Sequence, residues 1–210
     1  MSSVTTARSK VARPLMSSEG VVAAALRLAV ADGFEGVSLG KVARELGCHV
    51  TSLYSHVDSI DDLRVRMAIE VQTELADELW QAALGRAGVD ALRALAAVYR
   101  DFGARRPVYV RVLFAMTSTT DQRFRTGGQR LAEPVRATLR SFGLDELQVR
   151  HAHRAFSAAM RGFLLGEGQG MYGDDADETF ECLVALFADS LQAGCWPAAV
   201  AGSSLRQARS

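Results

Sequence analysis

The chain has 210 residues, 49% of them hydrophobic, with 24 basic side chains against 24 acidic ones and a formal net charge of zero. This is enough sequence to bury a sizeable core, as one large domain or a small one beside a larger one. No apolar run approaches the roughly 18 residues that cross a bilayer, and neutral balance lacks the basic excess that usually marks a nucleic-acid partner.

Residues 1–16 carry Arg8, Lys10 and Arg13 without an acid. They contain no apolar segment of the secretory type and read as a flexible basic arm. A helix is expected over 18–32, with Val21, Ala25, Leu28 and Ala29 on one stripe and Gly33 as its stop. Ser38 is the expected N-cap of a short helix to Leu46, on the stripe Leu39, Val42, Ala43 and Leu46. Gly47 ends it where a left-handed backbone is cheapest. A third short helix follows from about Val50 to His56. Ser59-Ile60-Asp61-Asp62 resembles a capping box with Asp in place of Glu or Gln. It opens a long helix to about Leu84 on the stripe Ile60, Leu63, Met67, Val71, Leu75 and Leu79. Further amphipathic segments cover 89–104, 107–117, 121–142, 145–168 and 175–193, the third of them weakened by Gly127-Gly128 and Pro134. No sustained period-2 alternation or hairpin dipeptide occurs, so the expected class is all-α, with a small polar tail from 196 to 210.

Three short helices with a tight turn between the second and third match the helix-turn-helix arrangement. In residues 47–57, GCHVTSLYSHV, the residues Val50, Leu53 and Val57 would form an inner face. Thr51, Ser52, Ser55 and His56 would form the outer one, with His49 at the helix start. Short hydroxyl and imidazole groups let a helix approach base edges closely. On spacing alone, a solvated polar face is the plainer alternative. Charge does not separate the two readings: between residues 17 and 66, five basic side chains stand against seven acidic ones.

The longer string does separate them. Residues 33–68, GFEGVSLGKVARELGCHVTSLYSHVDSIDDLRVRMA, resemble the DNA-binding domain of TetR/AcrR-type transcriptional regulators. The resemblance rests on Gly33-Phe34, the capping Ser38, Val42-Ala43-Arg44-Glu45-Leu46-Gly47, Leu53-Tyr54 with His56, and Leu63. It implies DNA contacts from Ser38, Lys41, His49, Val50, Thr51, Ser52, Tyr54, Ser55 and His56. Tyr54 would offer its hydroxyl to a phosphate while its ring packs inward, and Thr51, Ser52 and Ser55 would choose the base sequence. Ile60 stands where many members carry a phosphate-binding lysine. The basic arm, Lys41 or Arg44 would compensate.

Residues 159–187, AMRGFLLGEGQGMYGDDADETFECLVALF, resemble the C-terminal regulatory domain of a TetR subgroup named for a Trp-His-Gly motif, with Arg161 where that group tends to have His. The family implies a homodimer through the helices at about 145–168 and 175–193. Ala155, Ala158 and Ala159 would allow close approach, and Phe180, Leu183, Val184 and Phe187 form an apolar stripe. Packing of that stripe inside one chain is the alternative. A regulatory site is expected within residues 60–170, from Trp80, Phe102, Tyr109, Phe114, Met116 and Met160, with Arg105, Arg106 or Arg161 as polar anchor. An aromatic or Met at helical spacing is, however, more often plain core.

Enzyme chemistry finds little support. His151 and His153 point to different sides of a helix. No phosphate loop, nucleophile elbow or Cys-x-x-Cys occurs, and no metal or cofactor is expected. Cys48, Cys182 and Cys195 suit reduced thiols in the cytoplasm. The expected organisation is an arm (1–16), a DNA-binding domain (17–66), a ligand-binding and dimerisation domain (67–195) and a tail (196–210). The expected function is a repressor that binds a near-palindromic double-stranded operator as a homodimer and is released by a small-molecule effector. The alternative is a helical ligand-binding or scaffold protein that has lost operator binding.

Overall fold

In the computed structural model, which describes residues 17–116 and 119–194, the first helices start by one device. The hydroxyls of Ser17, Ser38 and Ser59 accept the backbone N–H of Gly20, Lys41 and Asp62 at 3.0, 3.4 and 3.1 Å. They satisfy amides that have no partner inside the helix. The elements are α1 (Ser18–Asp32), a 3-10 turn (Phe34–Gly36), α2 (Leu39–Glu45), α3 (Val50–Leu53), α4 (Ile60–Ala83), α5 (Gly88–Arg105), α6 (Pro107–Ala115), α7 (Gln122–Arg140), α8 (Glu146–Gly168), a second 3-10 turn (Gly173–Asp175) and α9 (Ala176–Gln192). The described residues contain no strand, and the class is all-α. The arm's Arg8, Lys10 and Arg13, together with Cys195 and the 196–210 tail, lie outside the described residues.

The long helix α4 is the axis of the molecule. Leu63, Met67, Val71, Leu75 and Leu79 of its stripe are buried, and Ile60 is half-buried against the same core. The helix packs on α1, α5 and α6, and its most extensive contact is with α7. The expected weakening of 121–142 does not break the helix: α7 runs unbroken through Gly127-Gly128 and Pro134. The glycines serve a close approach instead, since a β-carbon on Gly127 would overlap the Oε1 of Gln72 on α4. Pro134 lacks the N–H that would close its turn, and buried packing on that side offsets the loss.

The residues of the 159–187 resemblance build the corner between α8 and α9. The Phe163 ring stacks on Tyr172 with centroids 4.8 Å apart and touches Phe180 at 5.1 Å. Arg100 of α5 lies over both Phe163 and Phe180 and donates to Glu167 and Asp177, each at 2.6 Å. Charge-assisted bonds to two carboxylates tie three helices at one guanidinium. Arg100→Met is therefore expected to cost about 1–3 kcal/mol. Loss of protection in amide exchange at the start of α9 would check it.

The apolar stripe of α9 is spent inside the chain. Phe180 and Val184 are buried, and Leu183 and Phe187 pack half-buried against the core. Phe180 and Val184 are therefore part of the chain's own core rather than a face for a second copy. Phe187 and Tyr99 instead grip Phe156 of α8 edge-on, at 5.5 and 6.1 Å.

Candidate functional site

The turn between α2 and α3 is built by Gly47. Its φ of 61° lets the Cys48 N–H reach back to the Ala43 carbonyl at 2.9 Å while the Gly47 N–H reaches Arg44 at 3.1 Å. These are the two bonds of a Schellman motif, with half-buried Cys48 as its apolar contact. His49 then starts α3 without a side-chain cap. The helix is shorter than the sequence suggests. After Leu53 the chain turns, and the N–H groups of His56 and Val57 both point to the Leu53 carbonyl, at 2.8 and 3.0 Å.

Leu53 and Val57 are buried, so they alone form the inner face, and Val50 is 38% exposed on the outer side with His49 and Thr51. Tyr54 is 55% exposed. Its ring does not pack inward as expected, because the chain leaves the helix there and carries the side chain off the core. Ser52 and His56 are half-exposed, and the Ser55 hydroxyl donates to the Ser52 carbonyl at 2.7 Å. Ser38 caps α2 from beside this surface.

Most of the positive charge here is paired. Lys41 binds Asp32 at 2.7 Å, Arg27 binds Glu45 at 2.8 Å, Arg64 faces Asp61 and Glu35, and Arg66 binds Asp62 at 2.8 Å. Of the five basic side chains between residues 17 and 66, Arg44 is the one with no ion pair among the described residues. Asp62 is buried and also accepts the Asp58 N–H at 3.1 Å and an ion pair from Arg123 of α7 at 2.7 Å. Burial alone would raise its pKa. The bonds from Arg123, Asp58 and Arg66 outweigh it and hold the carboxyl below its usual 3.8.

A second feature lies in the middle of the bundle, a cavity of about 430 Å³ between α4, α5, α6, α7 and α8. Phe102, Phe114, Met160 and Arg161 line it, as the sequence suggests. Trp80, Tyr109 and Met116 do not. Trp80 follows buried Leu79 onto the outer side of α4 and is 41% exposed, while Met116 closes the end of α6 against the core. Tyr109 packs between Phe102 and the Arg106 guanidinium. Arg105 is held by Asp101 and Glu78, and Arg106 by Glu74 and Glu78, so neither faces the cavity. The polar residues that do line it, Gln72, His153 and Ser157, were missed. Gln72 had one available signal, an amide within the otherwise apolar buried stretch of α4.

A model of the tetracyclin repressor-like C-terminal domain matches residues 92–187. An HTH-type transcriptional regulator of Mycobacterium tuberculosis is 34% identical over 185 residues, spanning 87% of this chain and 85% of its own length. The chain belongs to the TetR family of helix-turn-helix transcriptional regulators. It is a DNA-binding regulator of transcription and not an enzyme. A TetR transcriptional regulator of Streptomyces coelicolor superposes with a TM-score of 0.71 at 19% identity, covering 85% of this chain and 98% of that one. The TetR protein ActR of the same organism, solved with (S)-DNPA, gives 0.65 with the same identity and coverage. At these identities the likeness concerns the fold. No helix of this TetR chain is long and apolar enough to cross a membrane among the described residues.

In this TetR bundle His153 is the titrating group of the cavity wall. Its Nε2 lies 3.2 Å from the Ser157 hydroxyl, and its buried Nδ1 has no hydrogen-bond partner among the described residues. Burial lowers its pKa from 6.5 to about 4, with the charges of Arg136 and Arg154 acting the same way and Glu133 against them. The unfolded chain binds this proton more readily than the folded one. Stability therefore rises with pH between about 4 and 6.5 and is fully present above that window. Urea midpoints across the window should show the slope, and His153→Gln should flatten it.

Proposed function

We propose that this TetR-family regulator represses transcription by binding a near-palindromic operator as a homodimer, and that a small molecule in the α4–α8 cavity releases it. The proposed division is an arm at 1–16, DNA reading by 17–66, ligand binding and dimerisation by 67–195, and a tail beyond; with DNA as partner, the place of action is the cytoplasm. The observation that carries the reading is the course of α4. Its first turn adjoins the α3 turn through the Asp58–Asp62 bond, while Gln72 and Leu75 farther along line the cavity. One rigid element thus touches both sites. A second strut runs in parallel: Arg123, bound to Asp62, precedes Phe124, which lines the cavity. A ligand that displaced Phe124 would pull on the start of α4. DNA and ligand would then prefer different conformers, and each would weaken the other. That the fold can hold a small molecule is supported by ActR with (S)-DNPA.

Operator contacts fall, on this reading, to the outer turn. Thr51 and Ser52 offer hydroxyls to base edges, Tyr54 offers its hydroxyl and His56 its imidazole to backbone or base, and Val50 and His49 lie at the groove-facing start. The Ser55 hydroxyl is already bonded to Ser52, which leaves Thr51 as the freest reader. Thr51→Ala should weaken operator binding by about 1–3 kcal/mol and relax preference at one base pair per half-site. Gel shifts of a near-palindromic fragment from the protein's own upstream region, with single-base variants, measure both. Absence of any bound fragment at low salt would sink the regulator mechanism.

The second reading, a helical scaffold that has lost operator binding, draws on the paired basic side chains and on Ile60, an apolar residue packed half-buried against the core. Neutralising Arg8, Lys10 and Arg13 separates the two. A regulator loses affinity for all sequences alike and shows a shallower salt slope, whereas a scaffold shows no DNA effect.

Two copies would meet on the outer side of α8 and α9. Ala155, Ala158, Gly162 and Leu165 are all exposed and recur at steps of three, four and three, the spacing of a coiled-coil seam. Beside them α9 exposes Cys182 and Leu186, the latter 70% accessible. Small residues on this row allow helix axes to approach within about 8–10 Å.

A further inference from the structure

We infer that the cavity takes an amphipathic aromatic acid, with its anionic oxygen at Arg161, its ring body among the phenylalanines and a hydroxyl or N–H directed at Gln72. This rests on the reading that the cavity is the effector site, and adds the chemistry of what enters it.

Charge decides the first feature. The lining includes the Arg161 guanidinium and the His153 imidazole, and among the described residues no carboxylate. A cation entering would lose its hydration with no counter-charge to receive it. An anion finds Arg161, which makes no ion pair among the described residues. Its guanidinium lies over the Phe114 ring at 4.8 Å. Stacking fixes the plane of the group and leaves its N–H edge to grip a carboxylate with two parallel bonds.

The second feature follows from an unmet need. Gln72 is only 3% exposed, lines the cavity, and its buried Oε1 has no hydrogen-bond partner among the described residues. The amide lies against Gly127, where any side chain would collide with it, so the bare helix backbone holds it in place. A buried acceptor with no donor is costly, and native proteins rarely keep one unless something fills the vacancy. A ligand donor would do so. The partnerless Nδ1 of His153 on the opposite helix is a further polar point that an uncharged group can meet.

The body is specified by the walls. Tyr99 and Phe102 of α5, Phe114 of α6 and Phe124 of α7 bring rings from three helices, and Leu75 and Met160 fill between them. Such rings accept another ring edge-on or offset, and a volume of about 430 Å³ holds a fused bicyclic system.

Matched probes test this by calorimetric titration: a hydroxynaphthoic acid, naphthoic acid, naphthol and naphthylmethylamine. The acid with hydroxyl should bind tightest, loss of the hydroxyl should cost roughly tenfold, and the ammonium probe should be weakest. Arg161→Met should weaken both acids about tenfold or more and leave naphthol unchanged. Gln72→Leu should erase the advantage of the hydroxyl, with thermal melting showing that the variant is folded. Naphthol binding that is abolished by Met160→Trp places the probes in the cavity. If the ammonium probe then binds as tightly as the acids, or Arg161→Met leaves the acids unaffected, the ligand class is overturned while the cavity reading stands. Binding of no probe, or binding indifferent to Met160→Trp, overturns both.

Discussion

Ala158→Arg is expected to convert the protein to a folded monomer and to lower operator affinity by roughly 10²–10³-fold. Ala158 is exposed on α8, so the fold leaves room for an arginine there. In the proposed dimer it falls on a seam of Ala155, Ala158, Gly162 and Leu165, where closeness of the helices depends on small side chains. Symmetry makes the damage double, since each copy brings the same cation to the same patch. Burying a charge without a partner costs several kcal/mol. DNA binding suffers next, because the second half-site is then no longer delivered at high effective concentration. Sedimentation velocity reads the association state and gel shifts read the affinity. Unchanged helix content by circular dichroism would show that the fold survived, and Ala158→Ser should behave as wild type. A variant that still sediments as a dimer would move the interface elsewhere on the molecule.

Local signals carried most of the fold. Caps at Ser38 and Ser59, the glycine at 47 and the stripes of α1, α2 and α4 are short-range features, and each appears where the residues place it. What failed depended on distant neighbours. Gly127-Gly128 reads as a weak point in isolation, and only the approach of Gln72, 55 residues earlier, explains why α7 needs glycine there. The α9 stripe has one periodicity whether it packs within a chain or across two. Burial assigns Phe180 and Val184 to the former, and Phe187 packs on Phe156 within the chain. Tyr54 turned outward because α3 ends after Leu53, a boundary no single residue announces.

Cavity and core posed the same difficulty. Phe102, Trp80 and Tyr109 are alike as residue types, and which of them faces empty space depends on how five helices meet. Polar lining was the better guide, since an amide on a buried stripe has to be explained by a partner. Similarly, Asp62 was legible only as a poor capping-box residue. In the structure it accepts the N–H of Asp58 and joins α4 to α7 through Arg123. Its shortness is what keeps it at this junction, because a longer Glu would reach back to the capping residue itself.

Phe156→Ala is expected to cost about 3–5 kcal/mol of stability. The side chain is fully buried on the inner face of α8, between Tyr99 of α5 and Phe187 of α9. Removing the ring forfeits its transfer from water, leaves a void that three helices cannot jointly close, and ends two edge-to-face contacts worth about 0.5–1.5 kcal/mol each. Against a total stability of about 5–15 kcal/mol this is a large fraction. At this chain length the melting temperature should fall by roughly 6–20 °C. Phe156→Leu, which fills most of the volume, should lose far less, and the contrast isolates packing from any general intolerance of the site. Because the outer side of the same helix bears Ala155 and Ala158, the folded variant keeps the proposed dimer seam. Operator affinity measured well below the transition should then equal that of the wild type. A loss of DNA binding without a loss of stability would instead mean that the inner packing of α8 sets the geometry of the dimer.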